Sequence, residues 1–173
     1  MQLIYYVAIS ADGFISRPDG RVDWLDPFQS SGEDYDYAAF YESVDAMIMG
    51  RITYEQMLGF GTWPYANKRS WVLSSNALAT SHPDIAPTSE TPAALARRLA
   101  AQGHRRVWLV GGAITAAGFE RERLITDYIV TVIPLLLGQG RPLIDSTLEP
   151  RRLTLAETRR FSNNVLQLHY TQP

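Results

Sequence analysis

The feature of this sequence that most constrains its fold is an alternation of short apolar runs with segments of helical periodicity. The runs at residues 3–9 (LIYYVAI), 46–49, 70–73 and 106–110 are rich in β-branched and large apolar residues, which is typical of buried strands. Helix-like segments separate these runs. Because strands that alternate with helices usually pair in parallel, the pattern predicts an α/β fold with a mainly parallel sheet and helices on both faces.

Capping residues mark several helix boundaries. Residues 33–45 carry apolar side chains at spacings of three and four, which predicts a helix. Thr53 is expected to cap a short helix over residues 54–58. Thr91 followed by Pro92 predicts another helix start, since threonine caps well and proline suits the first helical position. A further helix is expected after the glycine pair that ends the fourth strand.

The remaining segments complete a single domain over residues 1–173. Residues 11–32 hold few periodic apolar positions and predict a long loop. Residues 126–133 predict a further strand, and residues 153–159 and 164–170 alternate as in a closing antiparallel hairpin. The hairpin makes the predicted sheet mixed, and the absence of repeats or linkers favours one domain.

Composition excludes several functional classes. The chain has no cysteine, which excludes disulfides, thiolate metal sites and cysteine nucleophiles. Its three histidines are scattered, so no metal site is expected, and no G-x-S-x-G elbow is present. The net charge of −2 gives no electrostatic basis for a nucleic-acid partner. Without a signal peptide or a membrane-length apolar run, a cytoplasmic protein with no membrane contact is expected.

Three segments at predicted strand ends could bind a ligand, since open α/β sheets place ligands there. Gly111-Gly112 joins a strand to a helix and lets a phosphate approach the backbone, although a tight turn without a ligand has the same sequence. Arg51 offers a planar fork to a phosphate, and an ion pair with Glu55 is the alternative. Trp24, in the first loop, either shields a flat ring from water or packs the loop onto the core.

Taken together, these segments give the chain a resemblance to a known family. Its order of motifs resembles the dihydrofolate reductase superfamily over nearly the whole length, and is most similar to the branch that contains the reductase domain of the riboflavin-biosynthesis deaminase-reductase and its stand-alone relatives. The residues that carry the resemblance are SADGFIS (10–16), VDW (22–24), MGRITYE (49–55), LSS (73–75), VWLVGGAI (107–114) and DYIVTVIP (127–134).

The resemblance implies a dihydrofolate reductase-like three-layer fold and an NADPH site. Arg51 matches the position that reads the 2′-phosphate of the adenosine ribose, with Gly50 before it and Thr53 on the pyrophosphate side. Ser74 and Ser75 match positions that line the adenosine half. The strand-to-helix turn is matched by Gly111, Gly112, Ala113 and Ile114. Ala8 and Ile15 match positions that border the nicotinamide ring.

The resemblance marks the substrate side less clearly. In the superfamily an acid on the helix after the first loop aids protonation of the ring, and Asp34 or Asp36 could take that role here; solvated acids in a helical first turn are the alternative. Asp12 matches the riboflavin branch, and Trp24 and Thr131 match positions near the substrate. The stretch GEDYDY replaces the usual acid-then-aromatic pattern, which argues against folate specificity.

The implied activity is an NADPH-dependent reductase that transfers hydride to a small pyrimidine- or pterin-like heterocycle or to a carbonyl compound. A true dihydrofolate reductase and a nucleotide-binding module without redox turnover are the alternatives. The sequence contains no zinc-deaminase signature, so the bifunctional enzyme is not expected. A homodimer is expected, because Leu166, Leu168 and Tyr170 of the closing hairpin would suit pairing with a second copy; packing against the chain's own core is the alternative for these residues.

Overall fold

A computed structural model of the protein describes residues 1–65, 67–78, 80, 82–145 and 149–173. Eight strands form one sheet and two short strands form another. The strands are β1 (Gln2–Ser10), β2 (Phe14–Ser16), β3 (Ala46–Gly50), β4 (Arg69–Leu73), β5 (Ile85–Thr88), β6 (Arg106–Gly111), β7 (Asp127–Ile133), β8 (Arg141–Pro142), β9 (Thr154–Arg160) and β10 (Leu166–Thr171). The large sheet has the order β5-β4-β3-β6-β1-β7-β10-β9, and β2 pairs with β8.

The sheet is parallel from β5 to β7 and antiparallel beyond it. At its centre β1 pairs in parallel with β6 and with β7, so that Tyr5 lies opposite Leu109 on one side and Tyr128 on the other. On the far side, β10 runs antiparallel to both β7 and β9. The mixed, mostly parallel sheet and the closing hairpin confirm the predicted fold class.

In the described parts of the chain, five α-helices cover the sheet, together with a 3₁₀ turn at Asp23–Leu25. They are α1 (Asp26–Gln29), α2 (Tyr37–Ser43), α3 (Arg51–Leu58), α4 (Pro92–Ala101) and α5 (Ala113–Arg121). Alternating residues of the strands face opposite layers. On one face Leu3 and Tyr5 pack in a core with Leu95 and Leu99 of α4 and Phe119 of α5. The helices α4 and α5 therefore form one of the two helical layers that cover the sheet.

The opposite face carries the other two long helices. Ile4, Met47 and Met49 of the sheet pack there with Phe40 of α2 and Tyr54 of α3. All five side chains are at most 7% exposed. Burial of large apolar side chains contributes about 1.5–3 kcal/mol each, so both faces of the sheet stabilise the fold. Within the described residues, no helix has the length and apolar character to span a bilayer.

The first long connection differs from the prediction. Residues 11–32 were expected to be one irregular loop, whereas they contain β2, the 3₁₀ turn and α1. These elements are too short to show a hydrophobic period. β2 exists because β8, more than a hundred residues away, supplies its hydrogen-bonding partner, with Ser16 opposite Arg141.

Two helix starts also differ from the prediction. The helix expected over residues 33–45 begins only at Tyr37, because Tyr35 and Asp36 have positive φ angles of 56° and 61°. The Asp34 carboxylate accepts hydrogen bonds from the backbone N–H groups of Asp36 and Ala38, which favours a turn before the helix. By contrast, the prediction at Thr91 is confirmed, since its hydroxyl accepts from the Ala94 N–H at 3.3 Å.

The hairpin presents a different edge from the one expected. Leu166, Leu168 and Tyr170 were expected to suit pairing with a second copy, but their strand, β10, lies between β7 and β9. The outer strand of this end of the sheet is β9, whose residues are all exposed. β10 is therefore an inner strand of this chain's own sheet, in agreement with the alternative for these residues, and the homodimer stays a prediction.

Candidate functional site

A cleft with a volume of about 1510 Å³ crosses the carboxyl ends of the central strands. It has two differently built parts. The glycine half is lined by residues 50–53, 73–75 and 111–115, where β3, β4 and β6 end and α3 and α5 begin. The aromatic half is lined by the ends of β1 and β7, by parts of the segment 25–37, and by Tyr65 and Trp108. A cleft in this position is where open α/β sheets bind ligands.

The glycine half brings two helix N-termini together. A Cβ atom at Gly50 would lie 2.2 Å from the Thr115 hydroxyl of α5, so only glycine fits there. A Cβ atom at Gly112 would lie 3.4 Å from the Thr53 hydroxyl of α3. The expected cap at Thr53 was wrong, because α3 begins at Arg51 and has no side-chain cap; α5 has none either. Since no described side chain caps either helix, both present first-turn N–H groups at the cleft.

Arg51 stands at the mouth of the glycine half, in the first turn of α3. Its Nε donates to Glu55 at 2.6 Å, which is the ion pair considered as the alternative to ligand binding. Both side chains are more than 40% exposed, so a pair of this i,i+4 type is worth only about 0.3–0.5 kcal/mol. The terminal nitrogens of the guanidinium have no partner among the described residues and remain available to an anion.

The other residues expected to bind the cofactor line the same region. Ser74 and Ser75 follow β4, where the Ser74 hydroxyl donates to the Asn76 carbonyl at 2.8 Å. Gly111 has a φ of +139° and joins β6 to α5. Ala113 is buried, whereas Ile114 is 63% exposed toward the cleft. Together with Gly50, Arg51, Thr53 and Gly112, these residues form one continuous surface.

Where the two halves meet, the lining is small and apolar. Ala8 at the end of β1 and Ile15 in β2 both line the cleft. Each is half-buried. A flat ring placed against them would be partly shielded from water.

The aromatic half is walled by rings in contact with each other. The Tyr37 and Tyr65 rings lie 5.9 and 5.4 Å from the Trp108 ring, at angles of 70° and 80°. Tyr6 meets Trp108 edge-on at 6.2 Å and stacks on Phe40 at 4.2 Å. Edge-to-face and stacked pairs fix ring orientation. The wall is thus a preformed surface on which a flat molecule can lie.

A buried network of neutral polar groups forms the floor of the aromatic half. Gln167 donates its amide to the Thr131 hydroxyl at 3.1 Å and to the Tyr35 carbonyl at 3.2 Å, and Tyr6 donates to that same carbonyl. Burial raises the pKa of Tyr6 to about 12, with hydrogen bonds from Gln167 and Thr131 opposing the rise. Thr131 was expected from the sequence; Gln167 was missed, because a glutamine in a strand carries no motif.

Of the three acids proposed from the sequence, the structure brings one to the cleft. Asp34 lines the aromatic half. Asp36 instead accepts from Arg159 at 2.5 Å. Asp12 accepts from the backbone N–H groups of Leu137 and Gly138, and it lies outside the described lining. A hydrogen bond from Ser10, followed by those backbone bonds, lowers the pKa of Asp12, so this carboxylate fastens the turn after β7.

Trp24 was also expected at the ligand, and the structure corrects this. The side chain is 3% exposed and packs in a cluster with Ile133 and Val165. It does not line the cleft, although Val22, Asp23 and Leu25 around it do. The 3₁₀ turn at Asp23–Leu25 rotates the indole inward, so Trp24 holds the loop on the core.

Comparison with known proteins agrees with this geometry. A family model described as the RibD C-terminal domain matches residues 1–167. The uncharacterized protein YwjB of Bacillus subtilis is 35% identical over 170 residues, which are 98% of this chain and 97% of YwjB. A crystal structure from Shewanella sp. PV-4, provisionally assigned to riboflavin biosynthesis, has a TM-score of 0.89 at 27% identity and covers 100% of this chain and 99% of its own.

A more distant solved structure shows the same fold. It is the diaminohydroxyphosphoribosylaminopyrimidine deaminase/5-amino-6-(5-phosphoribosylamino)uracil reductase of Thermotoga maritima, with a TM-score of 0.77 at 13% identity. The match covers 99% of this chain and 56% of that one. In the part of this chain that the structure describes, no group of three histidine or acidic side chains is placed to hold a metal ion.

Proposed function

Because the chain belongs to the RibD C-terminal domain family, we propose that it is an NADPH-dependent reductase of a small heterocycle. The observation that carries the proposal is the convergence of two uncapped helix N-termini beside Arg51, held together by Gly50 and Gly112. Helix N-termini present N–H groups and a partial positive charge, which suit the phosphates of a dinucleotide.

The residues that line the glycine half fit a bound NADPH molecule. We assign the pyrophosphate to the first turns of α3 and α5, where a larger residue at Gly50 would close the approach. Arg51, with Ser74 and Ser75, is assigned to the 2′-phosphate, since a guanidinium fork and hydroxyls donate well to a phosphate monoester. Ala8 and Ile15 are assigned to the nicotinamide. When bound, the cofactor supplies hydride from its nicotinamide ring to the substrate.

The protein's own contribution is to hold the cofactor and the substrate, to orient their rings and to shield them from water. The ring wall of Tyr6, Tyr37 and Trp108 positions a flat substrate beside the junction of the two halves. Correct placement of two reactants can contribute about 7–11 kcal/mol to catalysis. At neutral pH the Tyr6 hydroxyl remains protonated, and its proton is already donated to the Tyr35 carbonyl.

Asp34 is the acid proposed to serve the substrate, since it lines the cleft. Its carboxylate is exposed and already accepts two backbone hydrogen bonds. A dihydrofolate reductase acting through a buried acid would differ here, so a pyrimidine-like ring is favoured over a folate. The substrate of the Thermotoga protein, an aminouracil, is the nearest chemical precedent.

The test is cofactor binding, followed by turnover. The purified protein is titrated with NADPH and separately with NADH, following quenching of tryptophan fluorescence, and NADPH oxidation is then measured with pterins, pyrimidines and quinones. Saturable binding that prefers NADPH, with turnover of one ring class, is expected. Binding of neither cofactor would overturn the proposal, and tight NADPH binding without any turnover would favour a nucleotide-binding module.

A further inference from the structure

The charged side chains that line the cleft are segregated along its length. Its arginines are Arg21, Arg51 and Arg141. Arg51 begins α3, and the other two flank Gly20, whose carbonyl accepts from Gln56 of α3 at 2.9 Å. All three therefore lie on the α3 side of the cleft. The acids there are Asp23, which pairs with Arg17 at 2.8 Å, and Asp145, whose N–H donates to the Ala113 carbonyl.

The rim of the aromatic half carries the opposite charge. Asp26, Glu33 and Asp34 line it, and none forms an ion pair with a described residue. No described lysine or arginine lines this half. Arg159 contacts Asp36 beside the rim, but its guanidinium is held by two carboxylates, those of Asp36 and Glu157, at 2.5 and 2.6 Å.

The interior of the same half is uncharged. Its wall consists of the contacting rings of Tyr6, Tyr37, Tyr65 and Trp108, and its floor is the neutral network of Tyr6, Thr131 and Gln167. Such a surface binds a flat heterocycle by stacking and a few hydrogen bonds. A phosphate attached to that ring would meet three carboxylates that form no ion pair with a described residue, while the guanidinium beside them, Arg159, is already neutralised by two carboxylates, which is an arrangement that disfavours anions.

We propose that the aromatic half selects a flat heterocycle that carries no phosphate, so that the substrate of this reductase is an unphosphorylated ring. This inference rests on the proposed function, because it assigns the substrate class of the same cleft. It separates this chain from the phosphoribosylamino substrate in the name of the Thermotoga protein. Arg51 remains assigned to the 2′-phosphate of the dinucleotide, and the Arg21 guanidinium is paired with Asp19 at 2.7 Å.

The experiment uses two probes that differ only in the phosphate, a ribitylaminouracil and its 5′-phosphate. Each is titrated by calorimetry into protein saturated with NADP⁺, and saturation is verified beforehand in a separate titration. Failure of that first titration counts against the proposed function, whereas the substrate inference is judged only on saturated protein. The unphosphorylated probe is expected to bind at least about tenfold more tightly, and the difference is expected to shrink at high salt.

Variants test whether the acidic rim causes the preference for the unphosphorylated probe. Asp26→Asn combined with Glu33→Gln removes two rim charges without touching the network, and should reduce the preference to about threefold or less. Glu42→Gln is the matched control, since Glu42 lies on α2 outside the described lining and should leave the preference unchanged. Equal or tighter binding of the phosphorylated probe, or binding of neither probe, would overturn the inference, as would a preference unaffected by the rim variant.

Discussion

The two halves of the cleft are assembled in different ways. In the glycine half each turn comes from one local unit, a strand that ends in glycine and runs directly into a helix, as in β3-α3 and β6-α5, and the two units meet at Gly50 and Thr115. In the aromatic half the contacts join residues far apart in the chain: Arg159 binds Asp36 across 123 positions, and Gln167 binds the Tyr35 carbonyl across 132. The closing hairpin therefore supports the segment that shapes the aromatic half.

The difference has a consequence for function. A site made of local turns holds its shape wherever the strand and helix are formed, whereas a site made by distant contacts changes when any one partner changes. We infer that the glycine half is the more constrained part and the aromatic half the more adaptable one. Substitutions in each half should separate cofactor binding from substrate binding.

The largest effect is expected from Gly50→Ala. The new methyl would lie 2.2 Å from the Thr115 hydroxyl, so the Thr115 side chain or the start of α5 must shift. Overpacking of this kind costs about 1–3 kcal/mol of stability, and NADPH affinity should fall more than tenfold. Urea unfolding and an NADPH titration measure the two effects. Thr115→Ala in the same chain removes the clashing hydroxyl and should restore most of both; a double variant as impaired as the single one would show that the close approach is not the cause.

The next effect is expected from Arg51→Ala, which should weaken NADPH about 10- to 100-fold and NADH less than about twofold. Hydrogen bonds to a charged group contribute about 1.5–3 kcal/mol, and only NADPH carries the 2′-phosphate. Arg97→Ala is the matched control, because Arg97 is an exposed arginine of α4 outside the described lining. Equal losses of both cofactors in Arg51→Ala would exclude this residue as the group that reads the phosphate.

The smallest effect is expected from Tyr6→Phe in the aromatic half. NADPH affinity should be unchanged, and stability should fall by about 0.5–1.5 kcal/mol with the lost hydrogen bond. Burial raises the pKa of Tyr6 from 10.0 to about 12. The stability that the protonated Tyr6 hydroxyl contributes to the folded state is therefore fully present below pH 10 and is lost as the pH rises toward 12.

Urea unfolding at pH 8, 10 and 11 tests the pH dependence. The native chain should lose more stability over this range than the Tyr6→Phe variant, which lacks that ionisation. Tyr37→Phe serves as a comparison, since burial also raises the pKa of Tyr37 to about 12, although its hydroxyl is not part of the floor network. Parallel losses in the native chain and in Tyr6→Phe would contradict the buried, protonated state of Tyr6.

Sequence patterns predicted the parts of the fold that depend on local chemistry. The apolar runs predicted the central strands, because a strand buried on both faces is apolar along its whole length. The Thr91-Pro92 pair predicted the start of α4, because helix capping depends on neighbouring residues. The short elements within residues 11–32 escaped prediction. β2 depends on β8, and a three-residue strand has no measurable period.

In the candidate site, too, the residues that depend on local sequence could be predicted and those that depend on distant contacts could not. Gly50, Arg51 and the Gly111-Gly112 turn could be placed at one cleft from the sequence, since each follows a strand end. Trp24 could not be placed, because the 3₁₀ turn that points it inward depends on packing against Ile133 and Val165. Gln167 had no signal at all, since its role depends on the pairing of β10 with β7.

The most direct test of the account is a crystal structure of the protein grown with NADPH. The account predicts the 2′-phosphate within hydrogen-bond distance of Arg51, the pyrophosphate at the first turns of α3 and α5, and the nicotinamide between Ala8 and Ile15, with the aromatic half left open for the ring. A dinucleotide lying across the wall formed by Tyr6, Tyr37 and Trp108, or bound outside the cleft, would contradict the division of the cleft into a cofactor half and a substrate half.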